Sequence, residues 1–152
     1  MTHLENTHVS FRGSRKGNYY TIPSHFMIDK KLKQLFEENK ITGYELKDIN
    51  IEGSYDFRDD GIQEMVITGR AGHLQKLTGE EFKACSTCGN IIERKSGIVG
   101  VTFDINKWDG SDIFLIDNFR GIPVVTQKVK DLLEKNKVKN VTFTNIKEKE
   151  FV

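Results

Sequence analysis

The chain has 152 residues, 30% of them charged, and its 23 Lys+Arg nearly cancel its 22 Asp+Glu to leave a net charge of +1. That length suits one domain whose core is large enough to fold unaided, and the balanced charge excludes bulk attraction to nucleic acid or to an anionic membrane. The only two cysteines, Cys85 and Cys88, are too few and too close together for a secreted disulfide framework.

The first twenty residues are polar and contain glycine, which suits an edge strand or a loosely held segment. They lack the apolar core of a signal peptide, and no apolar run approaches the length that spans a bilayer. A cytoplasmic protein with no membrane partner is the expectation. Pro23 introduces the first regular unit. Ile28, Leu32, Leu35 and Phe36 fall at i, i+4, i+7 and i+8, the stripe of an amphipathic helix. Asp29 stands where a side-chain oxygen can cap the first turn. Asn39-Lys40 suits its end, since Asn tolerates a left-handed backbone and Lys complements the negative end of the helix dipole. Tyr44 and Leu46 then alternate with Glu45, the pattern of a half-buried strand.

Beyond this unit, residues 49–55 and 61–68 read as strands joined by the turn Asp59-Asp60-Gly61. Gly69-Arg70-Ala71-Gly72 breaks the pattern, Leu74 to Phe82 is ambiguous, and Cys85 to Gly89 reads as a tight knuckle. Residues 97–104 and 112–116 alternate like strands, separated by the turn signal Trp108-Asp109-Gly110-Ser111.

The chain then repeats itself. Residues 125–147 lie over residues 28–50 with a shift of 97 positions, with identities such as Lys31/Lys128, Leu35/Leu132, Asn39/Asn136 and Lys40/Lys137. Val125, Val129, Leu132 and Leu133 reproduce the helical stripe, Thr126 takes the place of Asp29, and Val141 and Phe143 take those of Tyr44 and Leu46. Two units so far apart are too few for a solenoid. The expected fold class is therefore α+β: antiparallel sheet with two short helices from a duplicated helix-strand unit. Residues 1–152 form a single domain or two pseudo-symmetric lobes built on units 28–50 and 125–147.

Cys85-Ser86-Thr87-Cys88-Gly89 is the sharpest chemical motif. Two thiolates two residues apart can hold one tetrahedral metal, and the following glycine permits the backbone angles of a metal-binding knuckle. It is half of a structural zinc site, and no second CxxC supplies the rest. His73 is the nearest histidine, whereas His3, His8 and His25 are remote, so Cys85, Cys88 and His73 form the candidate metal set. The alternative is two reduced thiols on a turn, and no helix follows to support a thioredoxin-like thiol enzyme. Asp56, Asp59 and Asp60 lack calcium-loop spacing because Arg58 interrupts them. Gly69, Arg70 and Gly72 lack the lysine and third glycine of a phosphate loop. Lysines beside the repeats (Lys30, Lys31, Lys33, Lys137, Lys139) are interrupted by Glu37, Glu38, Asp131 and Glu134, which suits a solubilising face. Trp108 suits a core plug or an interface anchor. No triad, metalloprotease helix or paired-carboxylate spacing is present, so neither an enzyme nor a small-molecule substrate is expected.

Residues 85–146 resemble a known bacterial family, the double-CxxCG-motif proteins and related immunity proteins of polymorphic toxin systems. The resemblance rests on Cys85-Ser86-Thr87-Cys88-Gly89, Trp108, Ser111-Asp112-Ile113-Phe114, Asn118-Phe119-Arg120-Gly121-Ile122, Val125 to Val129 and Val138 to Phe143. This chain departs from the family pattern in keeping one CxxCG motif where the family name refers to two. The resemblance implies a small cytoplasmic immunity protein whose partner is a cognate protein toxin, neutralised by covering its active or substrate site, with no catalytic residue and either no cofactor or a structural zinc. The alternative function is a zinc-stabilised nucleic-acid-binding or regulatory module.

Overall fold

A computed structural model describes residues 7–12, 16–53 and 55–152. The fold is α+β. In chain order it comprises β1 (His8–Phe11), β2 (Tyr19–Ile22), β3 (His25–Ile28), α1 (Lys30–Glu38), β4 (Tyr44–Lys47), β5 (Asn50–Gly53) and the short helix α2 (Tyr55–Asp59). It continues with β6 (Gln63–Ile67), β7 (Arg70–Ala71), β8 (Leu74–Lys76), β9 (Val101–Phe103), β10 (Ile113–Ile116), β11 (Phe119–Val125) and α3 (Gln127–Lys135). One sheet has the order β2-β3-β6-β4 and is antiparallel throughout. A second, β11-β10-β7, joins an antiparallel hairpin to a parallel neighbour, while β1 pairs with β5 in parallel and β8 with β9 antiparallel.

Both expected helices form, and their ends match in detail. Asp29 caps α1 by accepting the Leu32 N–H at 2.8 Å. Thr126 occupies the same position before α3, but its hydroxyl makes no cap bond and donates to Asp112 instead. At the far ends the left-handed residues are Lys40 and Lys137, both with φ of 52°, rather than the preceding asparagines. Ile41 N–H donates to Phe36 O and Lys40 N–H to Glu37 O, and Val138 and Lys137 repeat the pattern on Leu133 and Glu134. This is the Schellman arrangement, which satisfies carbonyls that a helix end leaves over. Asn39 and Asn136 help from the side, each donating its amide to the carbonyl four residues back at 2.8 Å.

The duplicated unit is larger than the helix-strand pattern. Tyr19↔Ile28, Tyr20↔Met27 and Ile22↔His25 pair across the β2–β3 hairpin, and Ile113↔Val125, Phe114↔Val124 and Ile116↔Phe119 pair across β10–β11. Each unit is thus a hairpin feeding a helix. The first strands are offset by 94 positions (Tyr19 onto Ile113) and the helices by 97. The three extra residues fall in the bulge of β11. Ile28, expected on the helical stripe, belongs to β3, yet it is fully buried in the same cluster as Leu32 and Phe36. Val129 and Leu133 of the second unit join that cluster, as do Met65, Ile67, Ile113 and Leu115. The two units therefore share one central core.

Two polar side chains tie the units crosswise. Asn18, which is buried, donates its amide to the Asp29 carboxylate at 2.8 Å and accepts the Lys139 N–H at 2.8 Å. The start of α1 is thereby joined to the chain just beyond α3. Asp112 accepts the Thr42 N–H at 3.1 Å and the Thr126 hydroxyl at 3.3 Å, joining the start of α3 to the chain just beyond α1. Thr42 and Lys139 are equivalent under the 97-residue shift, as are Asp29 and Thr126. The backbones meet closely at both ties. A Cβ on Gly43 would lie 2.9 Å from the Ser111 side chain, and one on Gly17 would overlap the Asn140 side chain. One partner of each contact is a glycine because the approach leaves no room for two side chains.

Other expectations change. Residues 49–55 and 61–68 are not joined by a hairpin turn. Helix α2 intervenes because Phe57, 2% exposed, stacks on Phe11 at 4.6 Å within a second cluster that includes Val9, Met27 and Ile62. Val141 and Phe143 keep their half-buried alternation against the central cluster, but residues 141–145 belong to no helix or strand. A third cluster, built on Leu74, Phe82, Val101 and Ile116, covers the other face of β10.

Replacing Asn18 with Leu leaves the second Asp29 oxygen and the Lys139 N–H without partners. A cost of about 2–3 kcal/mol is expected from such buried losses, read as a lower urea midpoint at unchanged slope. A cost no greater than that of a surface substitution would show that the tie is dispensable.

Glu64 on β6 is a second buried polar centre, hydrogen-bonded to His25 Nδ1 at 2.5 Å and to the Thr7 hydroxyl at 2.8 Å. Burial works against its charge, but the bonds from His25 and Thr7, with the charges of His25 and Lys47, outweigh it and hold the carboxyl below its ordinary value. A carboxyl more acidic folded than unfolded adds stability that is present above the unfolded pKa and is lost as pH falls through the folded one. Glu64→Gln should therefore be less stable than wild type at pH 7, and the gap should close below about pH 4. Denaturation midpoints across pH 3–7 check this, and a constant gap would contradict it.

Candidate functional site

The cysteine motif forms the tip of a finger. Phe82 plugs its base into the third cluster at 4% exposure, and Ala84 bridges to Ile91 across the stem. Lys76 braces the base by pairing with Glu93 at 2.9 Å, and Glu93 also accepts the Lys83 N–H. At the tip, Gly89 N–H donates to Cys85 O at 2.9 Å and Cys85 N–H to Asn90 O at 2.8 Å, with Gly89 at φ 75°. The Cys85 sulfur faces the backbone N–H groups of Cys88 and Thr87 and the Cys88 thiol, and these hold its pKa below the ordinary thiol value. Both cysteines are free, Cys85 half-buried and Cys88 exposed.

The expected metal set is not brought together. His73 lies 4.0 Å from Glu81, and among the described residues no three His, Cys, Asp or Glu side chains gather to hold an ion. Cys85 and Cys88 remain two of the four ligands that a structural zinc takes, so a closed zinc site within one chain does not fit this donor set. His8 lies 3.3 Å from Asn50 and His25 is bound to Glu64, while His3 falls outside the described residues.

Other motifs take structural roles. Asp59 belongs to α2, and Asp60 pairs with Lys16 and accepts the Lys30 N–H. The Arg70 guanidinium donates to the Ile67 and Gly69 carbonyls at 2.9 Å each, so it is used on its own backbone. Lys33 pairs with Glu37 and Lys130 with Glu134 along their helices. Trp108 is half-buried, packs on Phe114, and donates its indole N–H to Ser111 O at 3.1 Å.

The feature that sequence reasoning misses is a groove of about 680 Å³ between β11 and residues 142–149. Leu74, Val101 and Ile116 of the third cluster form its floor, with Phe119, Ile122, Phe143 and Ile146 along it and Lys130 and Lys149 at its rim. Ile122 is 44% exposed there. The chain's end forms part of this wall. Gly100 N–H donates to Lys149 O, Gly97 N–H to Phe151 O and Phe151 N–H to Ile98 O, which fixes the tail along residues 97–100. Val99 and Leu77 are exposed on the same flank. The lining comes from several separate segments spread over residues 74–149, so no local pattern could have signalled it.

No protein-family model matches the chain, and no curated protein matches it. Among the described residues no helix is long and apolar enough to cross a membrane.

The thiol geometry gives a direct expectation. Cys85 should be alkylated by iodoacetamide before Cys88 near pH 7.5, because thiolate is the reacting form. Gly89→Ala strains the left-handed turn and should shrink that preference. Mass-spectrometric site occupancy measures both, and equal rates in the native chain would refute the assignment.

Proposed function

We propose that the chain is an immunity protein that binds a cognate bacterial toxin and neutralises it by covering its active or substrate site. The observation that carries this reading is the apolar groove with lysines among its lining and Ile122 exposed within it. An apolar centre with a charged edge is the anatomy of a protein-binding surface. Shape would supply the contact and Lys149 the orientation, through a carboxylate on the partner. The blocks in residues 85–146 that resemble immunity proteins include much of this surface: Phe119, Ile122, Val125 and Phe143 all line the groove.

Blocking by occlusion asks nothing of the chain but a rigid surface of roughly 800 Å² per partner. Rigidity is available, since the groove floor belongs to a buried cluster and its wall to the hydrogen-bonded tail. The protein should co-purify with the product of the neighbouring gene and rescue cells that express it. Ile122→Asp combined with Lys149→Glu should weaken that complex at least tenfold, about 1.4 kcal/mol or more, without lowering the melting temperature. Failure of the wild-type chain both to bind and to rescue would end this reading.

A further inference from the structure

The groove has a counterpart in the first unit, and there it is filled. Strand β6 lies between β3 and β4, antiparallel to both, with Met27↔Glu64 and Ile28↔Gln63 on one side and Tyr44↔Ile67 and Leu46↔Met65 on the other. In the second unit the equivalent of β3 is β11, where Val124 and Val125 replace Met27 and Ile28. The equivalent of β4 is the segment 141–144, where Val141 and Phe143 are half-buried and Thr142 and Thr144 exposed. Both line the groove. Among the described residues, the N–H groups of 141–144 have no hydrogen-bond partner and that segment joins no strand.

We propose that the groove is an open strand position, and that the partner protein inserts an extended segment there, antiparallel to β11 and to residues 141–144. For the identity of the partner this rests on the immunity reading; the strand position itself rests on the internal duplication. Main-chain hydrogen bonds give affinity in strand addition, and pockets for alternate side chains give specificity. Strand β6 indicates the chemistry required: Gln63-Glu64-Met65-Val66-Ile67 places Met65 and Ile67 inward, with a carboxylate near one end. An inserted segment of about five residues, some 17 Å long, would direct the side chains equivalent to Met65 and Ile67 toward the central-cluster side of the groove, where Val125 and Phe143 lie, and a carboxylate at Lys149.

The first test uses a synthetic peptide with the sequence of residues 61–69 (GIQEMVITG) added to the full chain. Backbone amides of 141–144 and 124–125 should shift in NMR spectra, and exchange at 141–144 should slow at least tenfold. Thr142→Pro, which removes one of the free N–H groups, should abolish both effects. Ile122→Lys should weaken them while keeping the main-chain donors, so a folding failure of the proline variant does not decide the outcome. No protection at these amides, or protection elsewhere, overturns the proposal. The second test measures exchange in the complex with the neighbouring gene product. Protection at 141–144 supports the insertion. A tight complex in which they exchange freely overturns the strand position and leaves the immunity reading standing, whereas peptide binding without any such complex sustains the strand position and removes the toxin. Protection in the chain alone, with a dimer by light scattering, would make a second copy the occupant and overturn the partner assignment.

Discussion

The crossed ties at Asn18 and Asp112 are the constraint on which the architecture depends. Apolar contact in the central cluster is non-directional and tolerates sliding of one helix past the other. Each helix end carries backbone groups with no partner inside the helix, and these must be satisfied wherever burial removes water. In this fold the beginning of each helix is joined to the chain leaving the other. Asn18 links Asp29 to Lys139, and Asp112 links Thr126 to Thr42. Register between the units is therefore set by hydrogen bonds with fixed geometry, while the cluster supplies the driving force. Neither unit can complete its own helix surroundings without the other, which is why Leu32 and Val129 lie in one core.

What could be read from the sequence was what is local. The 3.6-residue stripe, the Asp29 cap and the stop at Asn39-Lys40 all act within a few residues, and the helices formed where they were expected. The left-handed residue was displaced by one, onto Lys40, because the Schellman bonds fix which position turns and the asparagine amide is used on the Leu35 carbonyl instead. The hairpins escaped the repeat because three extra residues in β11 change the offset from 94 to 97 and break the alignment at the bulge. Helix α2 depends on Phe57 stacking on Phe11, a contact between segments far apart in the chain. Alternation at Val141 and Phe143 correctly marked the buried side. Periodicity specifies a face, and a ladder needs a neighbour.

The candidate site divides in the same way. The knuckle was legible because a CxxCG turn is made of five consecutive residues, and its N–H groups reach Cys85 from two and three positions on. His73, the nearest histidine in sequence, faces Glu81 in space. The groove was invisible to sequence because β8, β9, β11 and the tail meet only after folding. Duplication explains how it arose. The outer face of the first hairpin is covered by β1, β5 and α2, with β6 running beside β3. The outer face of the second is covered by β8, β9, the finger and the tail, and among the described residues no strand runs along the edge of β11 away from β10.

An open strand position is a liability, because unpaired main-chain groups recruit any extended chain. The residues around this one limit such recruitment. Pro123 has no N–H, so pairing on β11 can begin only at Val124, the position equivalent to Met27 where pairing with β6 ends in the first unit. The register break between Phe119 and Val124 interrupts regular pairing before that point. Lys149 stands at the rim, where a second copy would bring its own lysine against it, whereas a segment carrying a carboxylate would be drawn in. Edge length, interrupted register and charge together favour one short, acidic, apolar strand over indiscriminate pairing. That selectivity is what a surface held open for a single partner requires.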